Sequence, residues 1–289
     1  MTAYNREKYI GAAIESVLAS TYRNFELIVV DDCSKDRTVE IVKGYAARDA
    51  RIRLFENERN LGQFANRNLA ARYASGEYLK YLDSDDLMYP TGLEVLVNMM
   101  EQFPNAGYGL CSLDQDDARI FPYMLEPRAA YEKHFFQRFH LFYKAPLSSI
   151  IRKDVFFKVG GFTNPNGEGD YEMWLSLSSV CPVVLMPHGV VWYRVHGEQI
   201  DYNRRSDPFL DFRYFLVTLR YLGESCPLDA EQSRAIRVRT KQSMAGDILR
   251  SFFKHSPAKA VQMYKVANFN LPELVKWTFR GILTKLHVK

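Results

Sequence analysis

Three carboxylates crowd one short stretch of this chain, Tyr81-Leu82-Asp83-Ser84-Asp85-Asp86, where an apolar run over 78–82 leads straight into Asp83, Asp85 and Asp86. Like charges about 4 Å apart repel by roughly 1 kcal/mol even in water, and by more beside a protein. A positive partner is therefore expected here, and hard carboxylate oxygens suit a divalent cation. The competing reading is a solvated turn whose aspartates cap the helix that begins near Pro90. A second acidic pair, Asp31-Asp32, ends the apolar run Leu27-Ile28-Val29-Val30.

The surrounding pattern puts both pairs of interest in comparable places. Ile10, Ala13, Ile14, Val17 and Leu18 recur at helical spacing, which predicts an amphipathic helix over 6–20. The run at 25–30 reads as a buried parallel strand. A helix over 36–48, a strand over 51–56, the turn Asn60-Leu61-Gly62, a helix to Tyr73 and the strand at 78–82 follow. Pro90 is well placed to open a helix reaching Gln102, and 107–113 reads as a further strand. This alternation predicts an α/β fold, a three-layer sandwich around a mostly parallel sheet. Ligands of such sheets collect at the carboxyl ends of the strands, so both acidic clusters could face one cleft. The aromatic segment 115–147 reads equally as a lid or as a packed insertion. Helices near 153–159 and 169–180 and strands near 182–186 and 190–194 come next, and the chain is mostly helical after 204. One element is missing from this order. The chain opens with a helix, whereas a right-handed crossover needs a strand before it.

Hydrophobic and charged contents of 47% and 25% are those of an ordinary globular protein and argue against disorder. The four cysteines show no metal-binding or redox spacing and read as reduced thiols of a cytosolic protein. No run is long and apolar enough to span a membrane. Of 38 Lys/Arg and 34 Asp/Glu, residues 234–289 hold 12 and 2, so a mildly acidic body carries a basic helical tail. Within it Leu274, Val275, Thr278, Phe279, Ile282, Leu283 and Leu286 share one helical face, with Trp277 near its boundary. That pattern fits an interfacial helix making peripheral membrane contact through 271–289, or a helix folded back on the protein. Nucleic acid is not expected as a partner, because the tail lacks a base-stacking platform and the acidic cleft repels phosphates.

Taken in order, several segments over about residues 1–200 resemble the inverting GT-A-fold enzymes of glycosyltransferase family 2. Thr2-Ala3-Tyr4-Asn5 resembles the family's nucleotide-binding turn. Asp31-Asp32-Cys33-Ser34-Lys35-Asp36 is similar to its Asp-Asp-Gly-Ser-x-Asp segment, with Cys33 in the glycine's place. Asn60-Leu61-Gly62 with Arg67-Asn68, then Gly76-Glu77-Tyr78 leading into Asp83-Ser84-Asp85-Asp86, follow as in the family. Gly160-Gly161-Phe162, Gly169-Asp170-Tyr171-Glu172-Met173-Trp174 and Tyr193-Arg194-Val195-His196 complete the set.

The resemblance implies a metal-dependent inverting glycosyltransferase that moves a sugar from a nucleotide-sugar, uridine-linked by expectation, to a hydroxyl acceptor in polysaccharide, glycolipid or glycoconjugate synthesis. Asp83, Asp85 and Asp86 would hold Mg²⁺ or Mn²⁺ against the donor's diphosphate, with His196 as a further ligand. Thr2, Tyr4, Asp32, Arg67, Asp83 and Arg194 would bind the nucleotide-sugar, Tyr4 by stacking on the base and Asp32 by accepting its imide N–H. Asp32 could instead cap the next helix. Asp170 would be the general base, although the family has Glu-Asp where this chain has Gly169-Asp170; its bland reading is a helix cap. Trp174 would floor the acceptor site or pack in the core. The implied division is a catalytic domain over 1–204 (nucleotide half 1–114, acceptor half 115–204) and a basic helical extension over 205–289. The enzyme would work in the cytoplasm, at the inner face of the membrane. In the family a buried strand precedes the Tyr-Asn turn, so Met1 is expected to be an internal methionine with that strand upstream. A sugar nucleotidyltransferase is the enzymatic alternative, though the first turn lacks that class's glycine-rich phosphate loop; a non-catalytic nucleotide- or lipid-binding relative is the other.

Overall fold

A computed structural model describes residues 1–137, 139–163, 168–197, 209–254 and 256–286. The expected boundary at 204/205 and the last three residues of the 271–289 segment lie outside them, as do the side chains of the tail at 281–286. Two compact units emerge, Met1–Val195 and His196–Lys289.

The first unit is built on a parallel sheet of β1 (Thr2–Ala3), β2 (Leu27–Asp31) and β3 (Ile52–Glu56), with β2 in the middle. Every residue of β2 is buried. Leu27 and Val29 pack with Ile10, Ile14 and Val17 of α1 (Ile10–Leu18) and Val42 of α2 (Thr38–Ala46). Ile28 and Val30 face the other way, onto Ala70 and its neighbours in α3 (Gln63–Tyr73). A strand apolar on both faces is what a sheet covered by helices on both sides requires.

The chain does not open with a helix. Thr2 and Ala3 pair with Val30 and Asp31, and Thr2 also bridges Asp83 in parallel, so β1 sits between β2 and the acidic turn. Ahead of it, the Met1 amine is buried and donates to the Ile28 carbonyl at 2.8 Å. Below Met1 lies a cavity of about 670 Å³ between Phe25–Ile28 on one side and Tyr78–Leu82 on the other.

Of the stretch expected as a strand over 78–82, only β4 (Tyr78–Leu79) enters a ladder. It belongs to a second sheet in the order β4-β8-β6-β9-β7, with β6 (Tyr108–Leu110), β7 (Tyr123–Leu125), β8 (Ser149–Arg152) and β9 (Val183–Leu185). β6 and β9 are parallel there and the other three pairs antiparallel, so the expected mostly parallel arrangement is complete in the first sheet and mixed in the second. β8 pairs antiparallel with both of its neighbours, and β7 pairs antiparallel with β9. β5 (Leu87–Met88) pairs with β10 (Val191–Trp192) beside the acidic turn, ahead of α4 (Gly92–Glu101).

Within 115–147, α5 (Pro127–Phe136) buries Tyr131 and His134 against Phe142 and Tyr171, and the Tyr131 hydroxyl donates to the Leu175 carbonyl at 2.9 Å. This part of the segment is a packed insertion rather than a lid. α6 (Lys153–Lys158) and α7 (Gly169–Val180) follow β8 in the chain.

Among its described residues, the second unit packs α8 (Leu210–Tyr221), α9 (Ala230–Lys254), α10 (Pro257–Ala267) and α11 (Leu271–Leu286) around Phe212, Met244, Ile248, Met263, Phe269 and Trp277. Ser256 caps α10 by accepting from the Lys259 N–H, and Asn268 ends it in the left-handed conformation. Trp277 is therefore a core residue and not a boundary one. Leu271, Val275 and Phe279, at four-residue spacing, remain exposed.

Candidate active site

The loops that leave β1 and β2 are stitched into one surface. Asp31 accepts from the Ser34 N–H at 2.8 Å and from its hydroxyl, which closes a tight turn around Cys33 at φ +67°. That left-handed conformation explains a glycine at this position in the family, and Cys33 adopts it all the same. Asn5, at φ +51°, donates its N–H to the Ser34 hydroxyl at 2.9 Å and accepts from the Lys35 N–H at 2.8 Å. The Arg6 N–H donates to the Thr38 hydroxyl at 2.8 Å. Held this way, the ring of Tyr4 is left 44% exposed, as a stacking surface must be.

Asp32 is buried and busy. Its Oδ1 accepts from the Asn57 amide at 2.9 Å and the Leu61 N–H at 2.8 Å, and its Oδ2 accepts from the Gly62 N–H at 2.9 Å. It thus organises the loop before α3 and does not cap α2; Asp36 supports that helix start by accepting from the Thr38 N–H and hydroxyl. One lone pair on Asp32 Oδ2 is left over for a further donor.

Each carboxylate of the 83–86 turn meets an arginine. Arg67 of α3 is buried and bonds both oxygens of Asp83 through Nη2, at 2.8 and 3.0 Å, with the Phe64 ring 5.5 Å from its guanidinium carbon. Asp85 Oδ2 accepts from Arg6 Nε at 3.0 Å. Asp86 accepts from the Arg194 N–H at 2.8 Å, and Arg194 Nε donates to the Asp85 carbonyl at 2.8 Å. The Arg194 guanidinium lies over the rings of Trp192 and Tyr9. Burial pushes the Asp86 carboxyl up to about 7; the Arg194 N–H opposes this, and Asp83 and Asp85 add to it. Beneath the turn, Lys80 is half-buried and donates to the Leu147 and Tyr81 carbonyls. Burial brings its ammonium down to about 8, against the fields of Cys111, Asp83 and Asp86.

Asp170 occupies the first turn of α7, one position inside the helix, so it is not the cap; the helix N-terminus favours its negative charge. Its field also reaches Arg67, the same guanidinium that binds Asp83. Gly169 explains the departure from the family's Glu-Asp pair. A Cβ there would lie 2.7–2.9 Å from the ring carbons of Phe64, so this chain keeps a ring where the family keeps a carboxylate side chain. Trp174 is fully buried, stacked on Tyr108 and donating to the Lys144 carbonyl at 2.6 Å, which makes it core.

The structure therefore brings Thr2, Arg67, Asp83, Asp85, Asp86, Arg194 and Asp170 into one network at the carboxyl ends of β1 and β4, with Tyr4 and Asp32 on the adjoining loops. His196 is the first residue of the second unit. Two participants carry no signal of their own in the sequence. Arg6 finds its partner 79 residues away, and Lys80 looks like one more residue of a strand.

Among the described residues no three His, Cys, Asp or Glu side chains are grouped as a metal cage. The donor set fits a different kind of site. Asp83 and Asp86 are tied to Arg67 and the Arg194 N–H, and Asp85 pairs with Arg6, whose side chain is partly exposed. Magnesium-like ions are commonly held by one or two carboxylates together with substrate phosphates, and this turn suits that arrangement.

The family model for glycosyl transferase family 2 matches residues 1–160. An uncharacterized glycosyltransferase of Haemophilus influenzae is 33% identical over 255 residues, covering 84% of this chain and 81% of the relative. The Escherichia coli UDP-Glc:alpha-D-GlcNAc-diphosphoundecaprenol beta-1,3-glucosyltransferase WfgD is 45% identical over 100 residues, 35% of this chain and 39% of the relative. Against two other curated glycosyltransferases the match spans 50% and 48% of the relative's length. The mannosyltransferase PcManGT of Pyrobaculum calidifontis, solved with GDP-Man and Mn²⁺, shares the fold with a TM-score of 0.63 at 18% identity, covering 98% of this chain and 86% of that one. The α/β sandwich is accordingly of GT-A type, and the chain belongs to glycosyl transferase family 2.

Proposed function

We propose that this chain transfers a sugar from a uridine-linked nucleotide-sugar to a hydroxyl of a lipid-linked acceptor, with inversion at the anomeric carbon. One observation carries the reading: a single buried guanidinium, Arg67, binds the turn carboxylate Asp83 and feels the charge of Asp170, so donor-side and acceptor-side carboxylates flank the same group. Asp170 takes the acceptor hydroxyl's proton as that oxygen attacks the anomeric carbon, and the bond from that carbon to the diphosphate oxygen breaks. A single base suffices for one displacement, in contrast to the paired carboxylates of glycosidases. Tyr4 stacks on the base, and the spare lone pair of Asp32 Oδ2 accepts the uracil imide N–H. Arg194 lies beside the turn as a charge partner for the diphosphate. Asp85, backed by Asp83 and Asp86, would hold Mg²⁺ or Mn²⁺. Bound there, the cation would neutralise charge gathering on the departing diphosphate.

WfgD supports the choice of a uridine donor and a diphosphate-lipid acceptor by its name, and PcManGT supports a divalent cation. Residues 1–114 would take the nucleotide and 115–204 the acceptor. The exposed Leu271, Val275 and Phe279, in a tail rich in Lys and Arg, would rest on an anionic membrane surface at its cytoplasmic face. The test is release of nucleoside diphosphate from a panel of nucleotide-sugars, with Mn²⁺ and with chelator. The Asp170→Asn variant should bind UDP as the parent does and lose about 10²-fold or more of its turnover. Unchanged turnover in that variant would remove Asp170 as the base.

A further inference from the structure

The three carboxylates of the acidic turn are not neutralised alike. Asp83 faces an arginine whose side chain is 6% exposed, and Asp86 faces a backbone N–H. Asp85 meets a more exposed arginine: Arg6 Nε lies 3.0 Å from its Oδ2, with the two side chains 20% and 10% exposed. The same guanidinium is steadied by its own turn, since Nη1 donates to the carbonyls of Tyr4 and Asn5 at 3.2 and 3.1 Å, and the Arg6 N–H is anchored on Thr38. Arg6 is thus built into the Tyr4-Asn5 loop as a counter-ion for Asp85. Its positive charge stands where a cation held by that carboxylate would place its own.

We propose that Arg6 competes with the divalent cation for Asp85 and so couples cation binding to nucleotide binding. The inference rests on Asp85 as a metal ligand, as set out above. A cation that takes Asp85 must displace the guanidinium and then stand near it, both of which weaken binding to the nucleotide-free protein. A nucleoside diphosphate supplies the anion that the displaced guanidinium then lacks, so the penalty falls when nucleotide is present. Neither effect needs Arg6 to touch a reacting atom; it is a positioning residue.

Mn²⁺ binding to the full chain, followed by the loss of the free-ion EPR signal, tests this without any turnover. In the absence of nucleotide, Arg6→Gln should bind Mn²⁺ about three- to tenfold more tightly than the parent, the range expected for releasing a partly exposed ion pair. Arg6→Lys, which keeps the charge, should stay within about twofold of the parent. Adding saturating UDP should tighten Mn²⁺ binding by a larger factor in the parent than in Arg6→Gln, as reciprocal coupling demands. Far-UV circular dichroism melts establish that both variants are folded. Equal Mn²⁺ affinity in parent and Arg6→Gln overturns the competition while leaving the metal reading intact. Tighter binding by Arg6→Lys equal to that of Arg6→Gln overturns it too, since charge would then not be the cause. Absence of Mn²⁺ binding in every form, with and without UDP, overturns both the competition and the metal reading on which it rests.

Discussion

Asp83 and Asp85 differ sharply in what their removal should do to the folded protein, before any ligand is added. Arg67 is buried, bonds Asp83 through Nη2 at 2.8 and 3.0 Å, and has no partner for its Nε among the described residues. Asp83→Ala therefore strands a guanidinium that cannot reach water. Breaking a buried pair from one side costs roughly 3–5 kcal/mol. Asp83 is 29% exposed and Asp170 still acts on Arg67, so the lower end applies, about 3 kcal/mol. Asp85→Ala leaves Arg6, whose side chain is 20% exposed against 6% for Arg67, so it should cost less than Asp83→Ala. Arg67→Met removes the stranded charge, so the Arg67→Met/Asp83→Ala double variant should be at least as stable as Asp83→Ala alone. The coupling energy in that cycle should be about 2 kcal/mol. Urea unfolding at pH 7.5 in the presence of chelator measures all four proteins free of any metal contribution. An Asp83→Ala variant within about 1 kcal/mol of the parent, or a double variant whose loss equals the sum of the singles, would refute a structural pairing of Arg67 with Asp83.

Acid should weaken the packing of α5 through His134, whose imidazole burial holds down at about 3 with help from nearby His140, and whose Nδ1 accepts from the Phe142 N–H. Below the unfolded value of about 6.5 the unfolded chain takes up a proton that the folded one refuses, so stability is lost as pH falls from there toward 3. Between pH 6.5 and 5 that loss is about 2 kcal/mol, and His134→Asn should lack it; parallel urea midpoints at pH 7 and 5 would expose an error if both proteins lost the same amount. Gly169→Ala should cost about 1–3 kcal/mol by pressing on the Phe64 ring. A compensating Phe64→Leu should recover much of that in thermal melts, and failure to do so would mean the contact is not the cause.

Much of this was visible in residue patterns alone, and the exceptions have a common cause. The run Leu27–Val30 announced a strand buried on both faces, and helices do cover both of its faces. The acidic turn and Asp170 were marked by motif order, and the network joins them through Arg67. What escaped was pairing at long range. β4 and β8 pair across about seventy residues in short strands with little alternation, so the mixed second sheet left no periodic trace. The ion pair of Arg6 with Asp85 and the bond from Lys80 to the Leu147 carbonyl are likewise settled by topology rather than by neighbours in sequence. Trp277 sat at the edge of a helical wheel yet anchors a core, because three other helices pack around that edge.

The buried Met1 amine has a practical bearing on how the protein can be handled. Its nitrogen donates to the Ile28 carbonyl of β2, and Met1 lines the cavity between Phe25–Ile28 and Tyr78–Leu82, so residues joined ahead of Met1 are steered between two strands. A polar tag fused there competes with the sheet for space, whereas a short run of valine and isoleucine would find backbone partners along β2. Because Thr2 connects at once to Val30 and to Asp83, whatever is attached at this end is felt at the acidic turn. Affinity handles on this chain belong elsewhere.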